Sequence, residues 1–379
     1  MEPNFNKGDK FFSWGRIFKR DKNNSVGIDV GSNSMKIVEL EKKDGNLVLK
    51  NYALAKFDRD LIRLGTSKHL INNIAGELAK SIFEKLKIKN KKINLAIPGF
   101  ASLVTVINLE VASVKEAQKI LELEVPKFIP IPIDEVVYDW QIIEERSIEK
   151  ENKEKNLADG TVGENSGQKA ILVAIMKEIS QQYEKIFEVN GFEIGFLEVD
   201  SFSLIRSLVG EDDLDNYIIL DIGGKVCNII FTHQGNLIVN KNVNVAGYKM
   251  TEAMSRAMGI DRERAERMKI QQGLNVEVEQ LRAQVFEPLL GMIIEELKKS
   301  LNIFKKNYPD KEIKGIILSG GTSKMSGLVE YLKSKTGMDI FIGNPWSRID
   351  CPDNLEDKLI ELGPSFAVAV GLAMLGLEN

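Results

Sequence analysis

The sequence predicts an α/β protein built from two related lobes. Three observations carry this. A strand–Asp–apolar–Gly phrase occurs at Val26–Gly31 and again at Tyr217–Gly224, with 192 positions between Asp29 and Asp221; self-similarity at that distance reads as two halves of one plan. Strand-like and helix-like segments alternate along the chain. The 379 residues also exceed the ~250–300 at which a single hydrophobic core stops growing.

The elements follow in order. Val26–Val30 reads as a strand entering a Gly-Ser turn. Met35–Glu41 alternates apolar and polar residues as a second strand, and Leu47–Asn51 reads as a third. Leu70–Leu86 carries apolar residues at helical spacing, and the buried-strand run Ile93–Ile97 stops at Pro98-Gly99. Residues 146–169 have almost no large apolar side chains and predict a mobile insertion. The strand Ala170–Ile175 and the helix Ile179–Asn190, ended by Gly191, come next. The second copy continues with strands to Val245 and helices over Thr251–Met258, Arg262–Gln271 and Val276 to about Asn307. A strand, Gly315–Leu318, then enters a Gly-rich turn, and an Ala/Gly-rich helix spans Ser365–Leu375.

Composition excludes several classes. Lys and Arg number 51 against 55 Asp and Glu, which gives no global nucleic-acid footprint. Two cysteines, Cys227 and Cys351, make no disulfide framework, so a reducing compartment is expected. Two histidines, His69 and His233, exclude histidine-rich metal centres. No apolar run approaches the ~20 residues of a membrane span, and the N-terminus lacks a signal-peptide pattern. A cytoplasmic protein is expected.

Three glycine turns form a constellation. In Asp29-Val30-Gly31-Ser32-Asn33-Ser34-Met35-Lys36 a carboxylate at a strand end precedes a small-residue hairpin and a lysine. Backbone N–H groups in such a turn make an anion-binding concavity, and glycine lets a phosphate approach. Ser32 supplies a hydroxyl, Lys36 a cation, and Asp29 a ligand for hydrated Mg2+. Asp221-Ile222-Gly223-Gly224-Lys225 repeats the pattern and offers Asp221 as the second metal carboxylate. The third turn, Ser319-Gly320-Gly321-Thr322-Ser323, follows a strand and leaves room for a flat ring or sugar. One such turn is a plain β-turn; three in this order predict a nucleotide clamped between two halves.

These loops resemble those of the actin, heat-shock chaperone and hexokinase superfamily, from about Val26 to the end of the chain. The resemblance implies a duplicated ribonuclease H-like fold with phosphate loops at Asp29–Lys36 and Asp221–Cys227 and connecting helices at Val199–Leu208 and Ser365–Leu375. It implies an adenosine loop at Gly315–Met325 and ATP with Mg2+ as cofactors. Further contacts implied are Gly247 in Ala246–Thr251, Met325, and Glu295, Lys298, Lys299 and Asn302 on the long helix, covering adenine and ribose. Two further superfamily phrases are Ala265–Lys269 and Gly273. Gly224 stands where actins carry an acidic residue and Asn228 where they carry histidine. Asp200, near the position of the actin glutamine that orients water, is the candidate catalytic residue. ATP binding is expected, with hydrolysis weak or absent.

Within that superfamily, Ile97-Pro98-Gly99 leading to a helix and then Val125–Asp139, with its closely spaced prolines and Asp134-Glu135, resembles the PilM family of type IV pilus assembly. So do Leu197–Leu204 and Glu296–Leu301. The implied division is a tail (1–25), a first lobe (26–98, 170–214 and 350–379), an inserted partner-binding subdomain (99–169, mobile at 146–169), a second-lobe core (215–247 and 312–349) and its helical subdomain (248–311). The implied partner is the cytoplasmic N-terminal peptide of the membrane protein PilN, with other pilus assembly proteins, and an inner-membrane association that is indirect. Phe128, Ile131 and Tyr138 are the expected groove residues; their alternative is the core of the subdomain. Prolines 130 and 132 hold the chain extended, so Phe128, Ile129, Ile131 and Ile133 cannot all face one core.

Two other classes stand beside this reading: a filament-forming protein of FtsA or MreB type, and a small-molecule kinase, for which no Asp beside a substrate pocket is found. In the tail, Phe11–Arg20 interleaves aromatic and basic residues, as an interfacial helix on anionic lipid does and as a plain disordered tail also can.

Overall fold

The computed structural model describes residues 23–57, 68–109, 111, 113–143, 168–275 and 285–378. The first repeat opens with β1 (Asn24–Val30), β2 (Ser34–Lys43) and β3 (Asn46–Lys56), an antiparallel meander. The turn between β2 and β3 is Asp44-Gly45, both at positive φ (52° and 88°), the two-residue hairpin geometry whose twist suits the flanking strands. Helix α1 (Lys68–Leu86) leads to β4 (Lys92–Ile97), which lies parallel to β1.

At Gly99 the chain leaves the sheet and builds a small subdomain. β5 (Ser102–Leu109), α2 (Val114–Phe128), β6 (Val136–Ile142) and β7 (Gln168–Met176) form a sheet of order β5-β7-β6, with α2 on one face. Ala170, Leu172 and Ala174 of β7 point to α2 residues Leu121 and Val125, while Ile171, Val173 and Ile175 join the main core. The chain returns through α3 (Lys177–Glu188) and β8 (Glu193–Val199), parallel to β4. The first sheet therefore runs β3-β2-β1-β4-β8.

After α4 (Asp200–Leu208) the plan repeats. β9 (Tyr217–Ile222), β10 (Cys227–His233) and β11 (Asn236–Val243) form the second meander. Its hairpin, Gln234-Gly235, again has both φ values positive (51° and 75°). Helices α5 (Gly247–Met258), α6 (Arg262–Gln271) and α7 (Glu287–Asn307) precede β12 (Gly315–Ser319), parallel to β9. Then come α8 (Leu328–Thr336), β13 (Ile340–Ile342) and α9 (Glu356–Leu375). The second sheet, β11-β10-β9-β12-β13, has the order of the first, strand for strand. The chain thus has the actin-like duplicated α/β fold that its paired hairpins predict.

Two helices lie between the sheets. α9 packs on β1, β2 and β4 and reaches β12; α4 packs on β8 and β4 and also on β10 and β11. Two glycines permit the close packing here. A Cβ on Gly27 of β1 would strike the Ala369 backbone of α9, and one on Gly371 of α9 the Ser203 backbone of α4. Beside that crossing, the Arg206 guanidinium grips both oxygens of Glu198 (2.7 Å each) and reaches Glu378 at 2.6 Å, with Ser203 also donating to Glu198 at 2.5 Å. Arg206 and Glu198 are buried.

The structure extends or corrects several expected elements. The third strand runs to Lys56 rather than Asn51, because β3 pairs with β2 along its whole length. The last helix starts at Glu356, nine residues before Ser365, and carries Pro364 inside it. Proline is an interior breaker, but here the carbonyl of Pro364 is taken up by Gly320 N and Ser319 Oγ, both at 2.9 Å. Helix α5 begins at Gly247, earlier than Thr251. β5, β6 and β13 were not anticipated. By length and composition the segment Asp353–Leu375 is apolar enough to cross a membrane, unlike the sequence expectation; most of it is buried between the sheets. Phe11–Arg20, residues 146–167 and the expected helix start at 276–284 lie outside the described residues.

Candidate functional site

The repeated topology puts the two Asp-containing strand ends, β1 and β9, on either side of one cleft. In the first copy Asp29 stands opposite Lys36 in the β1–β2 ladder, and their side chains pair at 3.0 Å. In the second, Asp221 stands opposite Asn228, whose amide reaches Asp221 Oδ2 at 3.5 Å. The hairpin tips meet: a Cβ on Gly224 would fall on Ser32 Oγ and Asn33 Nδ2. An acidic side chain here, as in actins, has no room while the tips are this close. Gly31 closes the first turn through its N–H to Ser34 O (3.0 Å), and Lys225 at the second tip is exposed.

The third loop is tied to the second. Gly320 sits at φ 86°, its Cα against the Ile222 backbone, a conformation that glycine adopts without a Cβ penalty. Thr322 Oγ1 donates to Gly223 O at 3.0 Å, and Gly247 N donates to the same oxygen at 3.1 Å. The Thr322 hydroxyl is therefore engaged within the protein. Met325 is buried beneath Gly273, which itself holds φ 47°. Gly321 is exposed at the mouth of the loop.

The four helix residues Glu295, Lys298, Lys299 and Asn302 lie on the exposed face of α7, whose opposite face (Leu290, Ile293, Leu297, Phe304) packs toward β10 and β11. Hydrogen bonds tie a second helix, α6, to the loops. Lys269 Nζ contacts Gly247 O (3.2 Å), Thr251 Oγ1 (3.1 Å) and Glu266 (2.8 Å). Both helices carry a Glu and a Lys three residues apart; burial on one face of α6 and exposure on α7 separate them, and sequence alone does not.

Asp200, at the first turn of α4, enters the cleft between the two copies. It accepts from Gly99 N (3.1 Å), Ser201 Oγ (3.3 Å) and Asn228 Nδ2 (3.2 Å). Removal from water, followed by repulsion from Asp221, pushes its carboxyl up to about 7, partly offset by the Gly99 N–H. Burial, then Asp29, pushes Asp221 up to about 6, with Lys36 working the other way. The Tyr183 hydroxyl of α3 is pushed up to about 12 by burial and by Asp29 and Asp200. Three carboxylates with Lys36 as their nearby cation leave the cleft short of positive charge, which suits a bound cation. Among the described residues no three His, Cys, Asp or Glu side chains gather closely enough to chelate an ion by themselves.

In the inserted subdomain, Phe128 is 41% exposed and Ile133 38%, whereas Ile129 is buried. Ile131 and Tyr138 are half-buried against the subdomain core. Phe128 closes α2 rather than opening an extended run, since Pro126 fits inside the helix's last turn.

A family model described as type IV pilus assembly protein PilM matches residues 27–377. Among solved structures, one described as a PilM-PilN type IV pilus biogenesis complex superposes with TM-score 0.75 at 23% identity, over 94% of this chain and 99% of that one. The ethanolamine utilization protein EutJ of Carboxydothermus hydrogenoformans gives 0.50 at 16%, over 93% and 89%. Cell division protein FtsA of Pseudomonas aeruginosa is 26% identical over 238 residues, 56% of this chain. The match spans 54% of that relative's length, about half of it.

Proposed function

Since the chain belongs to the family of type IV pilus assembly protein PilM, we propose that it is an ATP-binding, actin-like adaptor that holds the cytoplasmic N-terminal peptide of PilN. The observation that carries the nucleotide half is the meeting of the two glycine hairpins across a cleft lined by Asp29, Asp200 and Asp221. The backbone of Gly31–Ser34 and Gly223–Lys225 would hold the phosphates, with Lys36 as the cation. Asp29 and Asp221 would hold Mg2+ through its water shell, and the ion would supply charge neutralisation. The loop Gly320–Met325, with Glu266 and Lys269 of α6 and the exposed Glu295, Lys298, Lys299 and Asn302 of α7, would hold adenine and ribose. Asp200 positions rather than binds. Its hydrogen bonds to Gly99 and Asn228 leave no free base aimed at a nucleophile, in keeping with slow or absent hydrolysis.

The partner half rests on Phe128 and Ile133, apolar side chains left exposed at the end of α2 and beyond it, with Ile131 and Tyr138 beside them. An apolar groove of this kind takes an extended peptide through a few anchors. The protein so placed works in the cytoplasm, at the inner membrane through its partner. Calorimetry with the N-terminal peptide of PilN tests this: the wild-type chain binds, and Phe128→Ala, Ile131→Ala and Tyr138→Ala each remain folded and lose about 1–2 kcal/mol. Absence of wild-type binding, with ATP-dependent sedimentation instead, would place the chain with the filament formers.

A further inference from the structure

One strand of the inserted subdomain has a side with no neighbour. In the order β5-β7-β6, β6 is the last strand, and among the described residues β7 alone pairs with it. Ile143 N donates to Lys169 O at 2.7 Å, so the hydrogen-bonded positions of this antiparallel ladder are 137, 139 and 141. Tyr138, Trp140 and Ile142 therefore turn their N–H and C=O groups away from β7, toward the free edge.

An edge strand is ordinarily kept from pairing by being short or by bearing solvated charges. β13 has three residues, and β3 carries the exposed Lys50 and Lys56. β6 has seven residues and no exposed side chain. Its single charge, Asp139, is not solvated. Burial pushes that carboxyl up to about 6, with the Trp140 N–H working the other way, and no cation pairs with it among the described residues. Asp139 Oδ1 accepts from Trp140 N at 2.8 Å, and Trp140 N is one of the edge donors, so the carboxylate lies at the free edge. Opposite Asp139 on β7 stands Val173, on the sheet face that joins the main core. Tyr138 and Trp140 are on the α2 face, with Ile131.

We infer that the partner peptide pairs with β6 as an added strand, and that Asp139 selects a lysine or arginine in it. This rests on the proposed partner groove, of which Tyr138 is already a part. A strand laid along the edge exchanges N–H and C=O bonds with Tyr138, Trp140 and Ile142, and its side chains alternate between the two faces. Those on the α2 face meet Tyr138 and Ile131 and are apolar. Trp140 N passes from Asp139 to a peptide carbonyl, and the freed carboxylate oxygen takes the cation in a charge-assisted bond. The chemistry recognised is an extended segment of apolar–basic–apolar pattern.

Calorimetry of the full chain tests this with two probes: the N-terminal peptide of PilN, and the synthetic peptide Val-Thr-Val-Lys-Val-Thr-Val beside its Gln counterpart. The wild-type chain is expected to prefer the Lys form about tenfold. Asp139→Asn keeps an acceptor for Trp140 N and melts no lower than wild type, yet it binds the PilN peptide about tenfold more weakly and no longer distinguishes Lys from Gln. Amide hydrogen exchange at Tyr138 and Ile142 is fast in the free chain and slowed by bound peptide. Unchanged affinity in Asp139→Asn, or edge amides left fast by bound peptide, overturns this inference and leaves the adaptor reading standing. Slow exchange at those amides in the free chain, whether a second copy or another segment covers the edge, also overturns it. A wild-type chain that ignores the PilN peptide but binds the Lys form through Asp139 overturns the adaptor reading alone, and one that binds neither overturns both.

Discussion

Gly371 of α9 lies directly on the backbone carbonyl of Ser203 in α4, with no space for a side chain between them. The two helices that join the lobes therefore touch backbone to backbone. Neither atom belongs to a flexible side chain, so Gly371→Ala must push the helices apart. Overpacking of this kind costs about 1–3 kcal/mol. The variant is expected to melt several degrees lower, as a calorimetric scan would show, and Ala373→Gly serves as the control that opens space nearby.

Arg206 and Glu198 predict a larger loss. The pair is buried at the same crossing, and its charges balance each other. Removing Glu198 leaves the buried Arg206 with the part-exposed Glu378 alone, a loss toward the lower end of the about 3–5 kcal/mol that a broken buried pair costs. Glu198→Ala is expected to unfold at markedly lower urea, whereas the double variant Glu198→Leu/Arg206→Met recovers most of the loss.

The cleft carboxylates predict a pH dependence. Asp200 and Asp221 hold their protons to about 7 and about 6 in the folded chain, against 3.8 for an ordinary aspartate. Folding therefore takes up protons between these values. The stability contributed is full below pH 3.8 and is lost as pH rises through 6 and then 7. Without nucleotide or metal, Asp200→Asn is expected to melt above wild type at about pH 8, by a margin that narrows at about pH 5 and closes only below 3.8. An equal offset at both values would contradict this assignment.

Nucleotide affinity separates the two candidate helices. Asp29→Ala and Asp221→Ala are each expected to weaken ATP–Mg2+ binding at least about tenfold, near 1.4 kcal/mol. The double variant Lys298→Ala/Lys299→Ala, on the exposed face of α7, is expected to weaken binding severalfold if α7 covers the adenine and to bind as wild type if α6 alone does. Calorimetry on the three variants decides the matter.

Much of the fold could be read from residue order, because its signals are local. The two Asp–x–Gly turns announce the duplication, and Asp44-Gly45 is a hairpin signal in its own right. β5 was not legible, since Ser102–Leu109 pairs its apolar residues (Leu103-Val104, Val106-Ile107) rather than alternating them. Pro364 hid the first half of α9, because a proline within a helical pattern reads as a start or a break, and no local pattern reveals that the helix continues across it. The ties of α6 to the site were not legible for a related reason: Glu-x-x-Lys occurs on both α6 and α7, and what distinguishes Lys269 is a buried pocket formed by Gly247 and Thr251. Asn228 and Tyr183 reach the cleft only through strand register and helix packing, which the sequence does not display.

The bond from Gly99 N to Asp200 Oδ1 (3.1 Å) has a thermodynamic reading. Gly99 is the root from which the inserted subdomain grows, and Asp200 faces the charge that a nucleotide and its metal would bring. Any preference of the loaded cleft for one placement of that root is a coupling free energy, and coupling is reciprocal. If ATP changes the affinity for a peptide on the subdomain by some factor, the peptide changes the affinity for ATP by the same factor. The pair then behaves as a two-input gate whose output is occupancy, and it needs no hydrolysis to carry information in either direction.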